Sequence, residues 1–299
     1  MIVVYRTDVP KSYLSSCLPG DWQERKSFLR MNLNGSPSRK LVLLAPSAAR
    51  VPGLFRLKET DRRRYQGLLE QMQRLRAEVY LQDGAIDASS LTDGRHQSEL
   101  DPLSWHLLVV NEKGRVQGGA RFHQHAPLAV QSDLNAARCP LAHIPEWSDA
   151  LNGALESELV FARDLELPFV ELGGWALGEE IRGSTEALRI ALGTYAFWEL
   201  MGSAVCISTA THRNCSASIL RRIGGRAVRH EHRDLPAYFD SKYNCQMELL
   251  RFYSWMPNPR YKVWINQLKE EIRHVPVVAP HVGVETWQTG PVRRFAQSA

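Results

Sequence analysis

The first strongly patterned segment of the chain has apolar side chains at helical spacing. Between Arg62 and Tyr80 they recur three and four positions apart among charged residues, which predicts an amphipathic helix. The stretch from Asp83 to Pro102 is mostly polar and predicts a loop. Two extended apolar runs then flank Asn111-Glu112-Lys113-Gly114, and this arrangement predicts a β-hairpin with a glycine-containing turn.

A further strand is predicted after a long connection, over the sequence PFVELGGWAL from Pro168 to Leu177. Its paired glycines indicate a bulge or a close approach of the backbone. Strict alternation of side chains would place Glu171, Gly173 and Trp175 on one face of the strand. The same rule would place Leu172, Gly174 and Ala176 on the other face.

The rest of the chain alternates between helical and extended patterns. Helices are predicted over 184–201, 214–223 and 261–273, and strands over 204–211, 226–232 and 246–253. This order predicts an α/β protein with a central mixed, twisted sheet and helices on its faces. We expect an N-terminal extension over 1–55, a core domain over 56–253 and a C-terminal extension over 254–299 that contains one helix.

Composition is that of a globular protein, with 44% hydrophobic and 23% charged residues. Its apolar stretches are too short for a membrane span, and the first residues lack the pattern of a secretory signal. The five cysteines are odd in number and form no C-x-x-C pair, so we expect neither a disulfide framework nor a zinc site. No metal is expected, and the expected location is the cytoplasm.

Positive charge is concentrated in one segment, Arg213–Arg233, which has six arginines and a single acid, Glu231. A basic surface of this kind suits nucleic acid, anionic lipid, a phosphorylated cofactor or an acidic protein, although a solvated helix face is the simpler interpretation. Aromatic residues are not interleaved with the arginines and no nucleic-acid motif accompanies them, so we expect no nucleic-acid partner.

The turn from Arg182 to Ala187 lies between a strand and a helix, where orphan N–H groups and the helix dipole favour an anion. It is neither a Walker loop nor a dinucleotide fingerprint. An ordinary capped helix, with Ser184 or Thr185 as the N-cap, is the alternative.

The order of strand, turn, helix, strand and Asn-initiated helix resembles the GNAT acyltransferase superfamily. In that superfamily the turn is usually Q/R-x-x-G-x-G/A and binds the pyrophosphate of coenzyme A or the phosphate of a phosphopantetheine arm. Arg182 and Ala187 match its ends, while Thr185 replaces the central glycine. The resemblance implies that the acyl thioester is bound by Gly173, Gly174, Trp175, Ala176, Leu177, Arg182, Gly183, Ser184, Thr185, Glu186, Ala187 and Asn214.

Four further motifs resemble the acyl-homoserine lactone synthases and the related long-chain N-acyl amino acid synthases. These motifs are R-x-x-x-F/Y on the first helix, acidic residues before the hairpin, G-x-x-R at its end and E-L-S-R-F on the next strand. The matching residues here are Arg76, Tyr80, Glu99, Asp101, Gly118, Arg121 and Glu171. Gly174 stands where that family has its arginine, Trp175 supplies the aromatic residue, and Ile86 stands where a tryptophan is expected.

The resemblance implies transfer of an acyl group, expected to be long-chain, from an acyl carrier protein or acyl-CoA thioester to a primary amine. Because the missing arginine and tryptophan belong to the S-adenosylmethionine side of the lactone synthases, an amino acid fits better as the acceptor. Alternatives are an acetyl-CoA-dependent small-molecule N-acetyltransferase, a true acyl-homoserine lactone synthase, and a non-catalytic domain that binds an acyl ligand.

Several roles follow, each with a structural alternative. Glu171 is the candidate for acceptor recognition or general base, and a buried ion pair with Arg76 or Arg121 is the alternative. The candidate catalytic acids are Glu171, Asp101 and Glu99, and the candidate acceptor-binding residues are Arg76, Tyr80 and Arg121. An acidic carrier protein is the candidate partner of Arg213–Arg233. The candidates for an acyl tunnel are Phe122, Trp175, Phe197 and Trp198, and core packing is the alternative for the helical pair Phe197 and Trp198.

Overall fold

A ten-stranded mixed sheet runs through the computed structural model, which describes residues 39–282. The described strands are β1 (Arg39–Leu44), β2 (Leu57–Thr60), β3 (Trp105–Asn111), β4 (Val116–Gln124), β5 (Phe169–Leu177), β6 (Val205–Thr211), β7 (Arg226–Ala227), β8 (Arg229–His230), β9 (Arg233–Asp234), β10 (Tyr238–Asp240), β11 (Cys245–Tyr253) and β12 (Pro276–Ala279). Nine strands of the sheet lie in the order β10-β11-β6-β5-β4-β3-β1-β12-β2, and the tenth, β7, pairs with β11. A separate two-stranded ribbon joins β8 and β9.

Five α-helices cover the two faces of the sheet. They are α1 (Arg62–Gln82), α2 (Pro145–Asp164), α3 (Glu186–Leu200), α4 (Ser216–Ile223) and α5 (Lys262–Arg273). Helix α1 starts where Asp61 accepts a hydrogen bond from the backbone N–H of Arg64 at 2.9 Å, which is an N-cap. The hairpin β3–β4 and the helices predicted around residues 62–80, 184–201, 214–223 and 261–273 are confirmed within a few residues at their ends.

Helix α2 is missing from the prediction, which treated the connection before β5 as irregular. The helix has a regular apolar stripe of Leu151, Ala154, Leu155 and Leu159, all buried against the sheet. The single strand predicted over 226–232 is instead divided between β7 and β8.

The sheet continues past both predicted domain boundaries, at residues 55 and 253. Strand β1 pairs with β3 on one side and with β12 on the other, and β12 pairs with β2. The described parts of the predicted N- and C-terminal extensions therefore contribute strands to the same sheet as the predicted core domain.

Cross-strand register identifies which helices share a face. Directly opposed residues of two strands point to the same side of a sheet. Glu171 lies opposite His123 on β4 and opposite Ile207 on β6, and Ile207 is buried under α2. Arg121, two residues before His123, reaches the same buried carboxylate as Arg76 of α1. Helices α1 and α2 therefore lie on one face.

Helix α3 lies on the opposite face, where Phe197 packs against Trp105 and Phe122 at ring-centroid distances of 5.1 and 5.5 Å. Gly193 allows this close approach, because a Cβ there would lie 2.6 Å from Leu107 Cδ2. Helix α5 is linked to α3 by the ion pair between Arg189 and Glu271.

Strand β5 contains the predicted bulge. Its register with β4 shifts between the pairs Gly119↔Ala176 and Arg121↔Gly173, so β5 has one more residue than β4 between these pairs. Gly174, within this bulge, has φ of +63°. The bulge resets the alternation of side chains. The prediction that Ala176 faces away from Glu171 is therefore wrong: Ala176 lies opposite Gly119, and it packs in the α1 cluster.

Strands β5 and β6 diverge next to this bulge. Their parallel pairing ends at Leu172↔Ser208, although β5 stays paired with β4 to Leu177 and β6 stays paired with β11 to Thr211. The sheet consequently opens beside Gly173–Leu177, and backbone groups of β5 on that side are available to a ligand.

Among the described cysteines, Cys139, Cys206 and Cys245 are free and buried.

We expect Gly174→Ala to destabilise the protein by about 1–2 kcal/mol, because an L-residue is strained at positive φ. A Cβ at this position would also lie 3.2 Å from Arg121 Cβ and 3.3 Å from Arg76 Nη1. Urea unfolding measures the effect. The matched control is Gly53→Ala, where a Cβ would meet no atom within 4 Å. Equal unfolding free energies for the two variants would contradict this account of the bulge.

Candidate active site

A buried carboxylate, Asp101, organises the α1 side of the opening. It is 0% exposed and accepts hydrogen bonds from Arg76 Nη1 at 3.0 Å, Arg76 Nη2 at 2.7 Å and Arg121 Nη1 at 2.9 Å. Gln73 Nε2 and the backbone N–H of Ser98 complete its partners, each at 3.0 Å. Burial alone would raise the pKa of Asp101, but the hydrogen bonds and charge of Arg76, with the charge of Arg121, hold it well below its usual range.

The same network fixes the loop before β3. Arg76 also donates to the backbone carbonyl of His96, and His106 Nε2 donates to the backbone carbonyl of Asp101 at 2.7 Å. Tyr80 packs edge-on against the ring of His96 at 5.4 Å. Helix α1, the loop and strand β4 are thereby held in one arrangement.

Aromatic residues line this side of the opening. Burial raises the pKa of Tyr80, and burial also raises the pKa of Tyr243 in the β10–β11 turn. The charges of Arg76 and Arg121 act on both hydroxyls, so Tyr243 lies within electrostatic range of the predicted acceptor-binding residues. Sequence reasoning missed Tyr243 because the β10–β11 turn is distant from the matched motifs along the chain.

Charged groups also remain available on this side. Arg121 Nε is buried and has no hydrogen-bond partner among residues 39–282. Glu99 is exposed, two residues before Asp101. The three predicted acceptor-binding residues Arg76, Tyr80 and Arg121 are therefore together, and Glu99 lies at the end of the same loop.

Glu171 lies further along the same face and bonds to a different set of groups. One carboxylate oxygen, Oε2, accepts from His125 Nε2 at 2.9 Å and from the backbone N–H and side-chain amide of Asn135, each at 3.0 Å. The other, Oε1, accepts from the backbone N–H of Ala136 at 2.9 Å. Burial alone would raise the pKa of Glu171, but the hydrogen bonds from His125, Asn135 and Ala136 lower it.

The ion pair predicted for Glu171 with Arg76 or Arg121 is therefore not formed, because both arginines are committed to Asp101. The partners of Glu171 come from the end of β4 and from the connection before α2. No periodic signal in the sequence identified His125 or Asn135 as its partners.

The predicted anion turn lies at the other end of β5. The backbone N–H groups of Gly183, Thr185 and Ala187 donate to no other described residue, whereas the N–H of Glu186 donates to Ser184 Oγ at 3.2 Å. Thr185 occupies the N-cap position of α3, but its side chain makes no capping hydrogen bond. Its φ of −72° is ordinary for any residue, so a glycine is not needed there. Gly183 has φ of +73° and is the residue of this turn whose conformation favours glycine.

Charge around this turn is balanced. Glu186 is 2% exposed and forms an ion pair with Arg189, which also pairs with Glu271. Arg182 is about one-third exposed, donates through Nε to the carbonyl of Leu177 at 3.2 Å, and lies 3.7 Å from Asp83. Arg182 is consequently the partly exposed positive charge beside the free N–H groups.

Arg213 connects the end of α1 to the β10–β11 turn. It donates to the backbone carbonyl of Asp83 at the end of α1 and to that of Asn244 in the β10–β11 turn. Asn214 follows it in a short 3-10 helix, and its side chain lies outside the part of the chain that the structure describes.

Most of the basic segment is paired with acids or carbonyl groups. Arg221 bonds to Glu248, Arg229 pairs with Asp234, and Arg233 pairs with Glu146 while it also covers the ring of Trp147 at 3.8 Å. Arg222 and Arg226 are exposed and form no ion pair with another described residue. Together with Arg213, which bonds to backbone carbonyl groups, these two arginines carry the positive charge of the segment that no acid among the described residues neutralises.

The four candidate tunnel residues lie in three different environments. Phe122 and Phe197 are fully buried and pack against each other, so they belong to the core. Trp198 lines an apolar cavity between α3, α4 and the sheet, together with Leu172, Tyr195, Cys206 and Phe252. Trp175 lies in the bulge, and its buried Nε1 has no hydrogen-bond partner in the described range.

Within residues 39–282 no group of His, Cys, Asp and Glu side chains could hold a metal ion. The same range has no helix with the length and apolar character needed to cross a membrane.

Comparison with known proteins gives matches at the level of structure. No protein-family model matches the sequence, and no curated protein matches it. BjaI, a CoA-dependent acyl-homoserine lactone synthase solved with SAM and isopentyl-CoA, is 15% identical, with a TM-score of 0.50 over 80% of this chain and 92% of that one.

Two further structures match over smaller parts. The AHL synthase LasI is 16% identical, with a TM-score of 0.42 over 63% of this chain and 84% of that one. FeeM, an N-acyl amino acid synthase from uncultured soil microbes, is 13% identical, with a TM-score of 0.40 over 61% of this chain and 83% of that one. At 15% identity, the match to BjaI shows a common fold. The predicted GNAT fold class and the resemblance to the acyl-homoserine lactone synthases are confirmed at that level.

We expect Asp101→Asn to destabilise the protein by about 3–5 kcal/mol at neutral pH, because it leaves Arg76 and Arg121 without their buried counter-charge. The folded-state pKa of Asp101 is lowered, so its contribution is complete above the unfolded value of 3.8 and is lost as the pH falls through the lower folded value. Urea unfolding between pH 3 and pH 8 should show a constant difference from wild type that narrows below about pH 4.

The control for this prediction is Asp93→Asn, whose side chain is 76% exposed and should change stability by less than about 0.5 kcal/mol. A difference between Asp101→Asn and wild type that grows as the pH falls would contradict the assignment.

Proposed function

We propose that the protein is an N-acyltransferase that moves an acyl group from a phosphopantetheine thioester to a primary amine such as an amino acid. The observation that carries the proposal is the opening between β5 and β6. It begins at a glycine bulge, has an anion-binding turn at one end and has an ionic pocket on the α1 face. A thioester threaded through the opening would present its carbonyl carbon to an amine on the α1 face.

The donor is held from the Arg182–Ala187 turn. The free N–H groups of Gly183, Thr185 and Ala187, the start of α3 and the Arg182 guanidinium bind the phosphate of coenzyme A or of a carrier arm. The pantetheine then follows β5 past Leu177, Ala176, Trp175 and Gly174 to Gly173. Unpaired backbone groups of β5 offer a hydrogen bond to the thioester oxygen, which stabilises the negative charge of the tetrahedral intermediate.

The acceptor binds between α1 and the bulge. A carboxylate on the acceptor has a partner in Arg121 Nη2, which faces the space above Gly173, and an ammonium group has one in the exposed carboxylate of Glu99. Asp101 acts by fixing Arg121 and Arg76, because its own carboxylate is already fully hydrogen-bonded. An amino acid supplies both charges, which favours it over a simple alkylamine.

Two donor forms compete for the same turn. Coenzyme A brings its own nucleotide, whereas an acyl carrier protein needs a basic docking surface. Arg222 and Arg226 supply that surface. Arg260 adds to it, because Asn258 Nδ2 donates a hydrogen bond to the carbonyl of Arg222 and holds the Arg260 segment against α4. The carrier protein is therefore our preferred donor.

The alternatives differ in acceptor or in activity. An acetyl-CoA-dependent N-acetyltransferase would use the same turn with a two-carbon acyl group. An acyl-homoserine lactone synthase would need S-adenosylmethionine, and a non-catalytic domain would bind the thioester without releasing its thiol.

The first test supplies octanoyl-CoA or octanoyl-acyl carrier protein with the proteinogenic amino acids, and follows thiol release and N-acyl products by mass spectrometry. Parallel reactions use acetyl-CoA and S-adenosylmethionine. We expect Arg182→Gln to raise the KM for the donor about 10-fold or more, because a charge-assisted hydrogen bond to phosphate contributes about 1.5–3 kcal/mol.

The matched control is Arg273→Gln on the surface of α5, where the arginine pairs with Glu270, and it should leave the KM unchanged. Thioester binding without thiol release from any donor and acceptor pair would support the non-catalytic alternative.

The second test separates the two donors. We expect Arg222→Glu/Arg226→Glu to raise the KM for octanoyl-acyl carrier protein at least about 10-fold and to leave that for octanoyl-CoA within about 2-fold, because surface charges act on the docking of the acidic carrier. The control is Arg229→Glu/Arg233→Glu, which changes the net charge equally at two arginines that already form ion pairs with Asp234 and Glu146. Equal KM values for the carrier protein in both double variants would rule out this docking surface.

A further inference from the structure

His123 is a half-buried histidine on the α1 face of β4 that no motif assigns to the site. It lies directly opposite Glu171 of β5, and Arg121, two residues earlier, lies opposite Gly173 at the start of the opening. Residues two positions apart on a strand are separated by about 6.6 Å and point to the same face. The imidazole is therefore adjacent to the place where the proposed thioester meets its acceptor.

Hydrogen bonding fixes the tautomer of this ring. Ser104 Oγ donates its single proton to the backbone carbonyl of Leu100 at 2.6 Å. The contact of 3.2 Å between Ser104 Oγ and His123 Nδ1 therefore has Nδ1–H as the donor. The proton is on Nδ1, and the lone pair of the neutral ring is on Nε2.

That lone pair is accessible. Nε2 makes no hydrogen bond with the described part of the chain. A buried atom without a partner would be unsatisfied, and His123 Nε2 is not such an atom, so it is in contact with solvent. A Cβ added to Gly173 would lie 3.8 Å from its nearest neighbour, Arg121 Nη2. There is therefore space for a substrate next to the ring.

The charged and titratable neighbours of His123 are Arg121 and His125 on its own strand and Glu171 on β5. Burial, followed by the charge of His125, lowers the pKa of His123 to about 4, so the ring is neutral at physiological pH. A negative charge developing on the thioester oxygen nearby would raise this pKa during the reaction.

The two buried acids of the site are poorly placed to accept a proton. The carboxylate of Asp101 accepts five hydrogen bonds, from Arg76, Arg121, Gln73 and Ser98, which leaves it no free lone pair. Glu171 Oε2 accepts three hydrogen bonds, from His125 and Asn135, and Oε1 accepts one, from Ala136. These four donors stabilise the ionised form of Glu171 and lower its pKa.

We infer that His123 is the proton acceptor of the acyl transfer, and this inference rests on the proposed function. The ammonium group of the acceptor first releases one proton to solvent. As the neutral amine nitrogen then attacks the carbonyl carbon, the new C–N bond forms and the second proton leaving nitrogen goes to His123 Nε2. As the C–S bond breaks, the departing thiolate sulfur takes that proton from the imidazolium. The products are an amide and a free thiol, and His123 returns to its neutral form.

The test compares His123→Gln and His123→Ala with wild type, using octanoyl-CoA and the amine that the wild-type enzyme acylates. General base catalysis contributes about 10²–10⁴-fold, so we expect kcat to fall at least about 100-fold in both variants, with KM for donor and amine within about 2-fold. The ratio of wild-type to variant kcat should decrease as the pH is raised from 6 to 9, because hydroxide replaces the missing base. Imidazole should partly restore His123→Ala.

The control is His274→Gln at the end of α5, where the ring contacts the carbonyl of Glu270, and its kcat should match wild type. Urea unfolding verifies that both His123 variants are folded. A kcat close to wild type, or a loss that is independent of pH and insensitive to imidazole, would overturn the assignment of His123. Absence of any acylated amine from wild type would instead overturn the proposed function itself.

Discussion

The burial of one carboxylate between two arginines is the interaction on which the candidate site depends. Asp101 has no exposure to solvent, and it stays ionised because Arg76 and Arg121 both bond to it. Such a pair is costly to break, since either partner alone would be a buried charge without compensation. Its three residues come from the loop before β3, from α1 and from β4, so the network joins the elements that border the opening. The bulge of β5 then fits against it, with Gly174 beside the side chains of Arg76 and Arg121.

The opening of the sheet separates two environments with different electrostatic character. On the α3 side, a turn with free N–H groups and one partly exposed arginine favours a phosphate, and the buried Glu186 beside it is neutralised by Arg189. On the α1 side, a buried ionic network and neutral histidines surround the proposed place for the amine. This division suits a reaction in which a charged carrier stays on one side while a neutral amine attacks on the other. The proposed roles of Arg182 and His123 depend on it.

Much of the fold was predictable because its determinants are local. The helical spacing from Arg62 to Tyr80, the hairpin turn at Asn111–Gly114 and the paired glycines of β5 each describe a structure formed by neighbouring residues, and all three were confirmed. Helix α2 was missed although its apolar stripe is regular, because the surrounding turns hid its start. The central places of β1 and β12 in the sheet depend on pairing between distant parts of the chain. The extra residue in β5 reversed the predicted side of Ala176, since a bulge changes the alternation after it.

The sequence by itself determined the fold class, because it follows from short-range patterns and their order. The resemblance to the acyl-homoserine lactone synthases implied that Arg76, Asp101 and Arg121 belong to one site, and these three side chains are in contact. The tertiary structure decided which charges neutralise one another. It pairs both arginines with Asp101 and Glu171 with His125, and it leaves Arg222 and Arg226 without an ion pair among the described residues. It also placed His123 opposite Glu171 with its Nε2 exposed. These outcomes depend on distances between side chains far apart along the chain, and hydrogen-bond geometry is fixed only when the strands have paired.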